Sequence, residues 1–362
     1  MRLRNDRGLI LLIAFLFFCV GTGAQTASPQ DPAAGAAVQT PAGSTSPPPP
    51  AASTQTSPPA TGPQDQPKPS GDQQQAPSSN DSGVFVFKAQ VEEVVLHATV
   101  VDDKQRMVTG LERDAFAVFE DGKPQKITSF RHEDIPVSMG IVIDNSGSMR
   151  EKRDKVNKAA LNLVRSSNQQ DEVCVVNFND EYYLDQPFTS NINLLKEALE
   201  KYETRGGTAL YDAVVATSDE LRKHARLQKR VLFVVTDGED NASRESLEQA
   251  VRRVSEENGP TVYAIGILGE EKARRARRAL QTMAERSGGI SFFPKTLDEV
   301  DEISRSVAHD IRNQYTIGYK PSTPKNVGGY RTIHVEARAS GHGKLTVRTR
   351  SGYYPGQERA AN

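Results

Sequence analysis

Across the middle of this chain, short continuous apolar runs alternate with segments whose apolar residues recur at helical spacing. Met139, Gly140, Ile141, Val142 and Ile143 form the first run, and Val156, Ala159, Ala160, Leu163 and Val164 then trace one stripe of a helix. Residues 173–178 read as the next strand, and 194–202 and 209–221 as helices. Val231-Leu232-Phe233-Val234-Val235 reads as a strand buried on both faces, and therefore central. A helix, strand, helix, strand and helix follow at 243–257, 262–268, 272–287, 290–293 and 297–313. Such alternation predicts an α/β fold over 135–313: a doubly wound, mostly parallel sheet.

The flanks change period. Val94, Leu96, Ala98 and Val100 alternate along one face, and Phe116, Val118 and Phe119 precede the turn Glu120-Asp121-Gly122-Lys123-Pro124. Near the other end Tyr315, Ile317 and Tyr319 alternate, then Ile333, Val335 and Ala337, then Leu345 and Val347, before Gly352-Tyr353-Tyr354. Neither set has enough strands to cover both of its faces. The two are therefore expected to pair into one additional β-sandwich, built from 84–134 and 314–355.

Residues 25–83 are mostly Ala, Pro, Ser, Thr, Gln and Gly, hold 13 of the chain's 21 prolines, and cannot bury a core. They read as a disordered linker, and 356–362 as a disordered tail. Before the linker, Arg2, Arg4 and Arg7 precede an apolar run over 8–20 and the small, polar Gly21-Thr22-Gly23-Ala24, which predicts an export signal over 1–24 cleaved after Ala24. The alternative is an N-terminal membrane anchor, but the run falls short of the roughly 20 apolar residues that span a bilayer. A lipid attached at Cys19 is disfavoured by the bulky Phe17 and Phe18 before it. Cleavage leaves Cys174 as the sole cysteine, so no disulfide can staple the fold, and its place in an apolar run marks it as a buried, inert thiol. The expected location is exported: periplasm, cell surface or extracellular space.

Charge changes little in this picture. Lys and Arg number 45 against 46 Asp and Glu, so nothing points to nucleic acid or to an anionic membrane as partner. The basic run Lys272-Ala273-Arg274-Arg275-Ala276-Arg277-Arg278 reads as a solvated helix face balanced by Glu270 and Glu271. No membrane span is expected in the mature chain, and the oligomeric state stays open.

Candidate chemistry sits where three loops follow or precede regular elements. Asp144-Asn145-Ser146-Gly147-Ser148 places oxygen-bearing side chains at alternate positions directly after the first strand, the edge at which open α/β sheets bind ligands. Gly206-Gly207-Thr208 delivers a hydroxyl as a helix begins, and Thr236-Asp237-Gly238 follows the central strand. Asp144, Ser146, Ser148, Thr208 and Asp237 together offer two carboxylates and three hydroxyls, all hard donors, with no His or Cys. Mg2+ is the natural ion; Mn2+ and Ca2+ remain open alternatives.

These residues resemble the metal-ion-dependent adhesion site of von Willebrand factor type A (VWA) domains, whose pattern is Asp-x-Ser-x-Ser, a distant Thr, then a distant Asp. The resemblance implies a Rossmann-like sheet on which Ser146, Ser148 and Thr208 offer hydroxyls to the ion, while Asp144 and Asp237 balance its charge directly or through water. It leaves one coordination position for a partner, in that family commonly an Asp or Glu carboxylate of another protein. Val108-Thr109-Gly110-Leu111, Asp114-Ala115-Phe116, Phe119-Glu120-Asp121-Gly122-Lys123-Pro124-Gln125 and Ser351-Gly352-Tyr353-Tyr354 look like a VWA-related subfamily typical of acidobacteria. The resemblance covers roughly 91–355.

Catalysis is not expected. Phosphatases that form an aspartyl-phosphate carry a second acid two residues after the first, where this chain has Ser146. No Gly-x-Ser-x-Gly elbow occurs, the six histidines are scattered, and no Gly-x-Gly-x-x-Gly follows the first strand. The expected function is cation-dependent protein binding of adhesion type. The alternatives are an envelope scaffold or spacer in which the metal is only structural and, less favoured, a metal-dependent hydrolase.

Overall fold

The computed structural model describes residues 93–201, 203–269 and 273–356. The expected signal, the linker and the tail past Gly356 lie outside them. The described residues belong to one compact unit.

The chain enters through β1 (Val94–Val101), β2 (Phe116–Glu120), β3 (Lys123–Gln125) and β4 (Ile127–Arg131). The β2–β3 hairpin turns at Asp121 and Gly122, both with positive φ (49° and 74°), the backbone that a two-residue type I′ turn demands. The α/β part then runs β5 (Val137–Asp144), α1 (Arg153–Arg165), β6 (Glu172–Phe178), β7 (Tyr182–Thr189), α2 (Ile192–Glu200), α3 (Leu210–His224) and β8 (Lys229–Thr236). It closes with α4 (Leu247–Val254), β9 (Thr261–Gly266), α5 (Ala273–Ser287), β10 (Ser291–Phe292) and α6 (Glu299–Arg312). The exit strands are β11 (Tyr315–Tyr319), β12 (Arg331–Ala337), β13 (Thr346–Arg348) and β14 (Gly352–Tyr353).

The six-stranded sheet has the order β10-β9-β8-β5-β6-β7, parallel except at β7. Helices α1, α2 and α6 cover one face and α3, α4 and α5 the other, each over its own apolar cluster. The expected central strand is β8, third in the order and beside the fully buried β5. The antiparallel edge strand β7 was not expected. Its exposed Tyr182-Tyr183-Leu184 and its Pro187 lack the alternation of a half-buried strand, and only pairing with β6 orders them. Helix α4 is shorter than its pattern because Ser246 and Gln249 close a capping box at Leu247, while Asp212 accepts the backbone N–H groups of Arg244 and Glu245 and holds the preceding loop.

Strands from both flanks interleave. One four-stranded sheet is β13-β1-β11-β4 and the other β14-β12-β2-β3, with a shared core that includes Leu96, Phe116, Val118, Ile317, Tyr319 and Val335. Within it Glu120 is buried, accepting from Tyr319 Oη (2.6 Å) and Tyr353 Oη (2.9 Å), with Arg331 3.5 Å away. A polar seam joins sandwich to α/β part: Asp310 at the end of α6 accepts from Tyr263 Oη and Arg348, each at 2.6 Å, and Arg350 donates to the Glu257 and Gly259 carbonyls. Among the described residues no helix is long and apolar enough to cross a membrane. Cys174 is a buried free thiol whose pKa burial pushes up.

Candidate functional site

Running from β5 the chain moves to β6 and β7 on one side, then returns to β8 on the other side of β5. The order reverses between β5 and β8, which opens a crevice at the carboxyl ends of two adjacent strands. Asp144 ends the first and Thr236-Asp237 the second, so the parallel register that pairs Ile143 with Val235 brings both loops together.

Asp144 is buried and doubly held: one carboxylate oxygen accepts from the Ser146 N–H (2.7 Å), the other from Thr236 Oγ1 (2.6 Å). Burial holds its carboxyl above the ordinary range, against the pull of those two hydrogen bonds, and the nearby Asp237 charge adds to the rise. Ser146 Oγ and Ser148 Oγ lie 3.2 Å apart, and Ser148 Oγ donates to Asp237 Oδ1 at 2.7 Å. Two carboxylates and two hydroxyls thus lie within one hydrogen-bonded cluster.

Thr208 arrives by a different route. Gly206 O accepts from the Gly147 N–H (3.3 Å) and Asn145 O from the Arg205 N–H (2.9 Å), which fastens the glycine loop to the Asp144 loop. Gly206 has φ +70°, and a Cβ there would fall 1.8 Å from Asp180 Oδ2, so this close approach needs glycine. Asp180 Oδ1 accepts from the Gly207 N–H (2.7 Å), and Asn241 Oδ1 from the Thr208 N–H (2.9 Å). Thr208 is buried, and a Cβ on Gly238 would sit 3.3 Å from its Oγ1, which places this hydroxyl beside the Asp237 loop.

Three supporting residues escaped the sequence reading, and a fourth, Thr236, entered it only as a member of the third loop. Lys152 forms an ion pair with Asp237 and donates to the Ser148 carbonyl at 3.2 Å. Its position four residues after Ser148, one turn on, was the available signal. Thr236, beside Asp237 in sequence, orients Asp144 instead. Asp180 and Asn241 brace the glycine loop from segments that no local pattern links to it. Glu239 and Asp240, set aside as ligands, have other partners: Arg275 at 3.3 Å, and the Tyr211 N–H at 3.0 Å.

Among the described residues no group of three or more His, Cys, Asp or Glu is placed to hold a metal. The donor set here is of another kind, two carboxylates eked out by hydroxyls, which suits a small hard cation and excludes soft-metal chemistry. Asn145 Oδ1, buried in the same loop, has no hydrogen-bond partner.

Residues 139–239, from β5 to the Asp237 loop, match the family model described as von Willebrand factor type A domain. An uncharacterized protein of Synechocystis sp. is 22% identical over 185 residues, 48% of this chain and 44% of that relative; the chain spans under half of its length. Among solved structures, a von Willebrand factor type A protein from Catenulispora acidiphila aligns over 74% of each chain at 14% identity with a TM-score of 0.44. An aerotolerance-related membrane protein from Bacteroides fragilis aligns over 48% of this chain and 98% of its own at 20% identity, TM-score 0.41.

Proposed function

We propose that this von Willebrand factor type A domain works in an exported, cation-dependent protein-binding module of adhesion type, with no catalytic role. Asp144, Ser146, Ser148, Thr208 and Asp237 would hold one Mg2+, with Mn2+ or Ca2+ as substitutes, and leave a coordination position for an Asp or Glu carboxylate of a partner protein. The observation that carries this reading is the linkage of Asp144, Ser146, Ser148 and Asp237 at the switch point of the sheet. Neutral hydroxyls outnumber carboxylates in that set, so a bound ion would keep enough positive charge to attract an anionic ligand. Export rests on the N-terminal pattern, and the flanking motifs support kinship with the VWA-related subfamily typical of acidobacteria.

Calorimetric titration of MgCl2 and MnCl2 into the protein, beside Asp144→Ala and Asp237→Ala, tests the site. Saturable one-to-one binding that both folded variants lack supports the reading; a folded wild type that binds neither ion rejects it. On the alternative reading of an envelope scaffold with a purely structural ion, EDTA would lower the melting temperature and leave every association of the protein intact.

A further inference from the structure

The arginines of 274–278 are exposed, as expected of a solvated helix face, but they do not share one environment. Arg277 turns back over the Phe293 ring, 3.9 Å from its centroid, while Arg275 and Arg278 face a groove of about 690 Å³ between α4 and α5. Arg286 continues that row on α5, and Arg252 faces it from α4. Leu247 and Val251 line the groove and pack on the core beneath; Tyr330 and Tyr354 of the sandwich close its far end.

Its charge is lopsided. Arg275 is paired with Glu239, but Arg252, Arg278 and Arg286 have no carboxylate within ion-pair distance among the described residues, and against them stands Glu248. Arg252 and Arg286 lie over the Tyr354 and Tyr330 rings, at 5.0 and 5.7 Å, which holds two guanidinium groups in place with their N–H edges unpaired by any acid. Arg278 and Arg286 are two helical turns apart, about 12 Å at 1.5 Å per residue. Same-face side chains of an extended strand recur about every 6.8 Å, so acids at positions i and i+4 span about the same distance.

We propose that this groove is a docking site for an extended acidic segment of a partner protein, with carboxylates on Arg278, Arg286 and Arg252 and an apolar residue over Leu247 and Val251. This second contact surface is independent of the metal reading, since none of the five candidate ligands lines it.

Fluorescence anisotropy of a fluorescein-labelled peptide of about ten residues, alternating Glu with Ser and Leu, tests it in EDTA, so that failure of the metal site cannot enter. The expected result is saturable binding to the full chain that weakens at least about tenfold in Arg278→Glu and in Arg286→Glu, and as salt is raised. Arg305→Glu, an equal charge change on α6 across the sheet, should leave it unaltered. Equal binding of a Gln-for-Glu peptide, equal loss in Arg305→Glu, or no binding to the wild type overturns the proposal. Sedimentation with anionic phospholipid vesicles that Arg278→Glu abolishes, without peptide binding, would assign the groove to a lipid surface and overturn it as well.

Discussion

Replacing Lys152 by Met should tighten cation binding while loosening the metal-free protein. The Asp237 side chain is fully buried, that of Lys152 is 29% exposed, and the ammonium bridges Asp237 to the Ser148 carbonyl. On the proposed reading an arriving divalent ion must displace this tethered monovalent one. Exposed pairs contribute up to about 1 kcal/mol and breaking buried ones costs about 3–5, so this half-sheltered pair stands near ~1.5 kcal/mol. Methionine keeps the stem's volume and removes the charge. Mg2+ affinity should therefore rise about tenfold, and stability in EDTA should fall by about 1–2 kcal/mol because Asp237 loses its counter-ion. Calorimetry reads the first effect and urea unfolding in EDTA the second. An affinity that stays level or drops in a folded Lys152→Met protein would refute the idea that the ammonium and the ion compete for one carboxylate.

Glu120→Ala should lower stability by about 3–5 kcal/mol, because Arg331 is left as a buried cation and two tyrosine hydroxyls lose their acceptor; urea melts followed by tyrosine fluorescence, in a chain with no Trp, would show a shift under 1 kcal/mol if the network is idle. Gly206→Ala forces φ +70° on a residue with a Cβ and displaces Asp180, so Mg2+ affinity should fall about tenfold for a stability loss of only about 1–2 kcal/mol, and unchanged calorimetry would disprove the close approach. Burial, then the Arg312 charge, lower Lys229 from 10.5 to about 7. The unfolded chain then binds a proton between pH 7 and 10.5 that the folded chain does not, so this residue makes stability rise with pH across that window, with its penalty at full size below 7. Urea midpoints of wild type and Lys229→Met from pH 7 to 9.5 should diverge in slope; parallel slopes contradict the shift.

Much of the fold is legible in the chain because it depends on local periodicity. Continuous apolar runs identified β5, β6, β8 and β9, and the stripes of Val156 to Val164 and 209–221 identified α1 and α3, since strands buried on both faces and amphipathic helices need those patterns whatever their neighbours. That Asp144, Ser146, Ser148 and Asp237 lie near one another was legible for a related reason: loops at the carboxyl ends of adjacent parallel strands meet at a switch point, so polar residues there converge by topology, whereas Thr208 comes from the loop before α3. The α4–α5 groove was not legible, because a run of arginines in sequence says nothing of which neighbours its exposed side chains meet. Only tertiary structure could order β7, whose residues are neither alternating nor apolar and gain their geometry from β6. The same holds for Lys152 on Asp237, Asp180 under Gly206 and Glu120 between two distant tyrosines. These contacts join segments 27 to 233 residues apart, and their energy comes from desolvating charges together, a property of the packed molecule that no window of sequence contains.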